Sequence, residues 1–199
     1  MFSASCSLVT RLSPMSRHVR GSFFSDYVRM IRRRKDVDWS HFLSASDLEY
    51  VRRLVDPAGW YPMSVFERLG DAILAHSGLA TLSAVRMWGH YSVSAVVATQ
   101  PELIARGDPV ESLMRLKVMR ASLFDFPAFD IPTLMPEQAE VRIIYYMGPS
   151  AEEAACHQTM GFCEGVISLA GGVQIEAHFL ERAWEGAAQT RIELHWREP

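Results

Sequence analysis

Between about Glu140 and Trp196 the apolar residues change from a two-residue period to a helical one and back, and no other feature constrains the fold of this chain as strongly. Val141, Ile143, Tyr145 and Met147 fall on one face of a strand that Gly148-Pro149 ends. Ser150 with Glu153 three residues on has the form of a capping box, in which hydroxyl and carboxylate satisfy orphaned backbone N–H groups, so a helix is predicted to start there. Ala155, Thr159, Phe162, Cys163, Val166 and Ala170 then recur at helical spacing until Gly171-Gly172 supplies the positive φ that stops a helix. Val173, Ile175, Ala177 and Phe179 alternate with polar residues, as do Ile192, Leu194 and Trp196, with a turn predicted around Glu185-Gly186-Ala187. The pattern predicts an α+β domain: a helix inserted between the strands of a small antiparallel sheet, the last two strands forming a hairpin.

The preceding residues read as a helical array. Gly21 to Lys35 is predicted helical, with Phe23, Phe24, Tyr27, Val28 and Ile31 on its apolar face and Arg32, Arg33, Arg34 and Lys35 at its end. That basic end complements the helix dipole or docks an acidic partner. Ser46 to Val55 follows as a second helix; Trp60-Tyr61-Pro62-Met63 leads into a third carrying Val65, Phe66, Leu69, Ala72, Ile73 and Leu74 that Gly78 ends. An apolar helix then runs to about Thr99, and Asp108-Pro109 opens another with Leu113, Leu116 and Met119 on one face. Phe124 to Phe129, extended around Pro127, is predicted to be the first or edge strand of about four, and Pro132 to Pro136 a loop between strands. Residues 1–18 hold no acidic residue and are expected to be a disordered tail or a start-site artefact, with Met15 as an alternative start; 19–199 are expected to form one domain.

A net charge of −3 gives no global reason to expect nucleic acid or anionic membrane as partner. No apolar run approaches the roughly 20 residues that span a bilayer. Cys156 and Cys163 lie two turns apart on one predicted helix, about 10 Å by the helical rise, too far for a disulfide, so a reducing cytoplasm is the expected compartment. The same separation argues against a shared zinc ion, and both read as small buried apolar residues. Phosphate-binding glycine loops, a nucleophile elbow and paired zinc histidines are absent, and Asp125 and Asp130 have no partner that would make an acid/base pair, so no enzyme is expected.

The order of elements, with Arg20-Gly21-Ser22-Phe23-Phe24 at the opening, Trp60-Tyr61-Pro62 in the helical array and a sheet-helix-hairpin ending at Trp196, resembles an uncharacterised paralogous family expanded in myxobacteria. That family looks related to the four-vinyl-reductase domain, the Bet3-like transport-complex subunits and the heme nitric-oxide/oxygen binding (HNOX-like) domain. The resemblance covers roughly Val19 to Arg197 and implies a small hydrophobic ligand or heme held between helices and sheet, with a homodimer as one assembly. Met119 stands where the heme branch keeps its proximal histidine, no histidine lies between Tyr91 and Ala155, and Tyr91-Ser92-Val93-Ser94-Ala95 ends in Ala where the propionate contact needs Arg. Heme is therefore not expected, and His90, a lone histidine, is more often packed than ligating.

Two functions remain open at this point. One is a non-catalytic sensory or regulatory domain binding a small apolar molecule, with Trp60, Tyr61, Trp88, Tyr91, Met119, Phe124 and Phe126 as candidate lining. The other is an interaction or adaptor module that dimerises or docks a protein through its helical face, with Arg32, Arg33 and Arg34 as candidate contacts. No cofactor or metal is assigned.

Overall fold

The computed structural model describes residues 16–76 and 81–198; most of the expected tail, and the helix end expected at Gly78, lie outside the described residues. Four strands, β3 (Phe129–Met135), β4 (Gln138–Ile143), β5 (Val173–Glu181) and β6 (Thr190–Arg197), form an antiparallel sheet in the order β3-β4-β6-β5. Val141 pairs with Ile192 and Ala139 with Leu194, so the two-residue period sets one apolar face inward, and all four are fully buried. The opposite face carries charges: Arg191 donates to both Glu140 and Glu181, and Arg142 donates to Glu140. Hydrogen bonds from Arg191 and then Arg142, against some desolvation, pull the Glu140 carboxyl down to about 2. That face is fitted to water, and the inner face to helices.

Helix α6 (Pro149–Leu169) lies across the inner face. The strand leading into it ends at Ile143, four residues earlier than Met147, and the predicted box of Ser150 and Glu153 does not form. Gly148 is the N-cap with Pro149 in the first turn, and it is Glu152 that reaches back, accepting from the Tyr145 and Met147 amides at 3.2 and 2.8 Å. Those amides are turned from the sheet to the carboxylate through Tyr146 at φ 58°. The helix stops as predicted, with Gly171 at φ 107°.

The helical array comprises α1 (Gly21–Arg33), α2 (Ala45–Arg52), α3 (Met63–His76), α4 (Leu82–Val97) and α5 (Pro109–Leu123). Helix α2 opens one residue before the predicted Ser46, because Ser44 and Asp47 make the reciprocal cap, and Arg68 of α3 holds the buried Asp47 through two hydrogen bonds of 3.0 and 2.7 Å. Two short strands, β1 (His18–Arg20) and β2 (Trp60–Pro62), form a separate antiparallel ribbon beneath α1. Arg17 and His18, within the expected tail, are fixed: Arg17 donates to the Tyr145 and Tyr146 carbonyls, and His18 meets Asp125.

Phe124 to Phe129 is not the edge strand. Phe124 bridges to Val19, and the chain turns tightly at Pro127 before β3 begins at Phe129. Pro132, expected in a loop, lies inside β3, where an edge strand tolerates a missing donor and the register shifts between Asp130 and Thr133. The connection to β4 shrinks to Pro136-Glu137.

Helices α4 and α6 cross backbone against backbone. A Cβ on Gly161 would lie 1.9 Å from the Arg86 carbonyl oxygen, and one on Gly89 2.0 Å from that of Gln158. Only glycine permits that approach, and the Arg86–Glu164 ion pair closes over it. One continuous apolar core joins both layers, from Val19 and Phe24 to Leu194 and Trp196.

Candidate functional site

Towards its start, α6 presents Ala151, Ala154 and Ala155 to α1, α3 and α4, at the three- and four-residue spacing that stacks side chains on one face. The facing residues are rings: Tyr27 of α1 stacks on Phe66 of α3 at 4.2 Å and lies 5.7 Å from Trp88 of α4. Alanines opposite rigid rings leave a chamber of about 60 Å3. A second chamber, also about 60 Å3, lies between α1, α5, α6 and the sheet, walled by Phe23, Phe124, Phe129, Phe162, Tyr145 and Cys163. Phe66, Met147, Ala155 and Gln158 line both, so the chambers abut across a thin wall.

The polar groups are few and unequally placed. At the wall, the Tyr27 hydroxyl donates to Gln158 Oε1 at 3.2 Å. In the second chamber Tyr145 and Thr159 share a hydrogen bond of 2.7 Å, and Thr159 also donates to the Ala155 carbonyl. Burial pushes the Cys163 thiol up to about 12, and drives the Tyr27 and Tyr145 phenols well above their usual range. All three are neutral near pH 7. Glu67 and Asp71, one turn apart on α3, line the first chamber only. The Asp71 carboxyl is raised by desolvation and then by the Glu67 charge.

Of the aromatic and methionine candidates, Trp88 stands in the first chamber and Phe124 in the second. The others lie elsewhere. Tyr61 fills the core against Phe24 at 4.5 Å, and Trp60 is 42% exposed beneath the Arg20 guanidinium. Tyr91 is 68% exposed, because Val85, Gly89 and Val93 form the inner face of α4 and Tyr91 lies opposite. Met119 packs half-buried on α5 outside both chambers, and Phe126 is buried between Phe124 and Arg17. In the basic run, Arg32 donates to the Val51 and Arg53 carbonyls at the end of α2, and Arg34 to Asp36 and the His76 carbonyl. Arg33 stands exposed. Tyr27, Phe66, Gln158 and the α6 alanines were not among the candidates; the run of small residues at Ala151, Ala154 and Ala155 was the available signal.

None of the chain's 7 histidines lines either chamber. His90 sits at the α4–α6 crossing, and His157 packs behind α6, 4.8 Å from the Phe179 ring. Burial, Arg86 and Arg182 hold the His157 imidazole below its usual range. Cys156 and Cys163 are free and buried, and no three His, Cys, Asp or Glu side chains gather among the described residues to hold a metal ion. No helix of the described residues is long and apolar enough to cross a membrane.

No family model matches the chain, and no curated protein does. Solved structures do. An Fe(II) unliganded H-NOX protein from K. algicida superposes with a TM-score of 0.60 over 90% of this chain and 97% of its own, at 13% identity. An H-NOX protein from S. oneidensis in the Fe(II)NO ligation state gives 0.59 over 89% and 99%, also at 13% identity. A mutant of T. Tengcongensis H-NOX gives 0.59 over 90% and 98%, again at 13%. The chain has an H-NOX-like α+β fold.

Proposed function

We propose that this chain is a non-catalytic sensory or regulatory domain that takes a small, largely apolar molecule into the abutting chambers between its helices and sheet. The observation that carries this reading is the pair of ring-walled spaces meeting at Phe66, Met147, Ala155 and Gln158. Long, unbranched Met147 gives that wall a side chain that can be displaced. The likeness to H-NOX proteins, one of them in an Fe(II)NO ligation state, supports a ligand-holding role for the same fold. The kinship with four-vinyl-reductase and Bet3-like domains belongs to this proposal too.

The residues present do not fit a heme. No imidazole enters either chamber, the only sulfurs there among the described residues belong to buried Cys163 and to methionines, and about 60 Å3 apiece is small beside the roughly 300 Å3 at the lower end of ordinary ligand pockets. The reading therefore uses no step through iron.

Native mass spectrometry of the freshly purified protein, before and after denaturation, tests it. The expected result is a mass excess that denaturation removes, identifying the ligand by its mass. A clean apoprotein that small apolar molecules also fail to stabilise against heat sinks the reading.

One observation favours a second reading, an adaptor that pairs with itself or another protein through its helical face. Met87 and Tyr91, one turn apart on the outer side of α4, are 55% and 68% exposed. Concentration-dependent dimerisation lost on Tyr91→Ser, together with clean apoprotein, is the outcome that reading requires.

A further inference from the structure

The paired chambers have an electrical direction. The structure encloses or half-encloses several carboxylates and supplies most with an arginine: Asp47 with Arg68, Glu164 with Arg86, Glu140 with Arg191. Glu67, half-buried, and Asp71, exposed at the rim of the first chamber, are different. Among the described residues neither forms an ion pair, although they are four apart on one helix, an arrangement that repels; Arg68, next to Glu67, gives its hydrogen bonds to Asp47 and acts on Glu67 only through space. Glu67 is oriented, its Oε1 accepting from the Gly148 amide at 2.7 Å, which leaves Oε2 for another group. Asp71 also lines an adjoining groove of about 400 Å3 whose remaining acid is Glu153, and that groove shares Leu74, Val85 and Ala154 with the first chamber. The positive end of the α6 dipole, nearby, is offset by Glu152 in its first turn. Among the described residues the second chamber is lined by no charged side chain.

We infer that the ligand is a cationic amphiphile, an organic amine whose ammonium group sits at Glu67 and Asp71 against the Tyr27 and Trp88 rings while its apolar body occupies the chambers. The two contributions reinforce each other. Aromatic faces attract a cation, best when it is partly desolvated, and the two carboxylates supply the opposite charge. A cation there also relieves the repulsion between Glu67 and Asp71, which is one cause of the raised Asp71 carboxyl. A fatty acid in the same orientation would set a third carboxylate against these two. A neutral alcohol would gain the apolar contacts and leave the acids as they are.

The inference rests on the reading of this cavity as a ligand site, and the test separates the two. Hexylamine, hexan-1-ol and hexanoate, matched in chain length, are titrated near pH 7 into the full chain and into the double variant Glu67→Gln, Asp71→Asn, with calorimetry as readout. The expected order is amine, then alcohol, then carboxylate, with the amine about tenfold tighter than the alcohol. In the double variant that preference of amine over alcohol collapses. Equal binding of amine and alcohol, tighter binding of hexanoate, or a preference that survives the double substitution overturns the cationic ligand and leaves the cavity standing. Failure of all three to bind overturns the cavity reading itself, and with it this inference.

Discussion

The two halves of α6 use small residues to opposite ends. In its later half, Gly161 lets α4 come into backbone contact, and Gly165 makes room for the His90 backbone and the Val93 side chain. In its earlier half, Ala151, Ala154 and Ala155 face α1 and α3, which the Tyr27 and Phe66 rings hold away, and the same shortness leaves a chamber. A small side chain closes a gap when its neighbour is free to approach and opens one when the neighbour is propped off. The charges follow the division: the packed half carries Glu164 paired with Arg86, and the open half adjoins Glu67 and Asp71, which form no ion pair among the described residues. Breaking the packed half has the largest expected consequence. Gly161→Ala places a methyl 1.9 Å from the Arg86 carbonyl oxygen, a clash of backbone with backbone that no rotamer relieves. Urea denaturation should show a loss of about 3 kcal/mol or more. A loss below about 1 kcal/mol would mean that the helices part easily and that the contrast between the halves is shallow.

The corresponding change in the open half should behave differently. Ala155 lines both chambers, so Ala155→Leu adds its atoms to empty space and should alter stability by no more than about 1 kcal/mol in either direction. It should also abolish the mass excess and any thermal stabilisation by apolar molecules. A folded Ala155→Leu variant that still captures ligand would put the binding site somewhere else.

This division also explains how far the sequence could be read. The periods of β5 and β6 were legible because each strand covers one face, and burial is what periodicity records; α6, packed on the sheet and on the other helices at once, was bounded by Pro149 and by Gly171-Gly172. The cap of α6 was misread because Ser150 and Glu153 carry the pattern while Pro149 starts the helix earlier, which moves the reaching-back acid to Glu152. The ribbon of β1 and β2 escaped because three-residue strands are too short to alternate visibly. For the site, Trp88 and Phe124 could be named from their chemistry, but Tyr91 and Trp60 have the same chemistry and lie at the surface. Residue type reports what a side chain can do, whereas the face it occupies depends on which neighbours the helix meets. An empty space is harder still to read, since it depends on partners from α1, α3 and α4 that are distant in sequence from Ala151 and Ala155.

The smallest effect concerns the unpaired acids of the open half, and its sign is the informative part. Asp71 has its carboxyl raised above the ordinary 3.8 by desolvation and by Glu67. The folded protein therefore holds this proton to higher pH than the unfolded chain does. Where only the folded state is protonated, stability falls as pH rises, so Asp71 removes stability between pH 3.8 and its raised value and holds the protein at the lower level above it. Glu140 acts in the reverse sense: its carboxyl, held near 2 by Arg191, contributes stability above about 4.5 that is lost as pH falls from there towards 2. Asp71→Asn should leave the acid limb belonging to Glu140 intact, abolish the Asp71 decline and raise the melting temperature slightly at pH 7. Melting curves from pH 3 to 7 on both proteins decide it. A lower melting temperature for Asp71→Asn at pH 7 would show that Asp71 is already neutralised by a partner within the protein, and the open half would then be no less paired than the packed one.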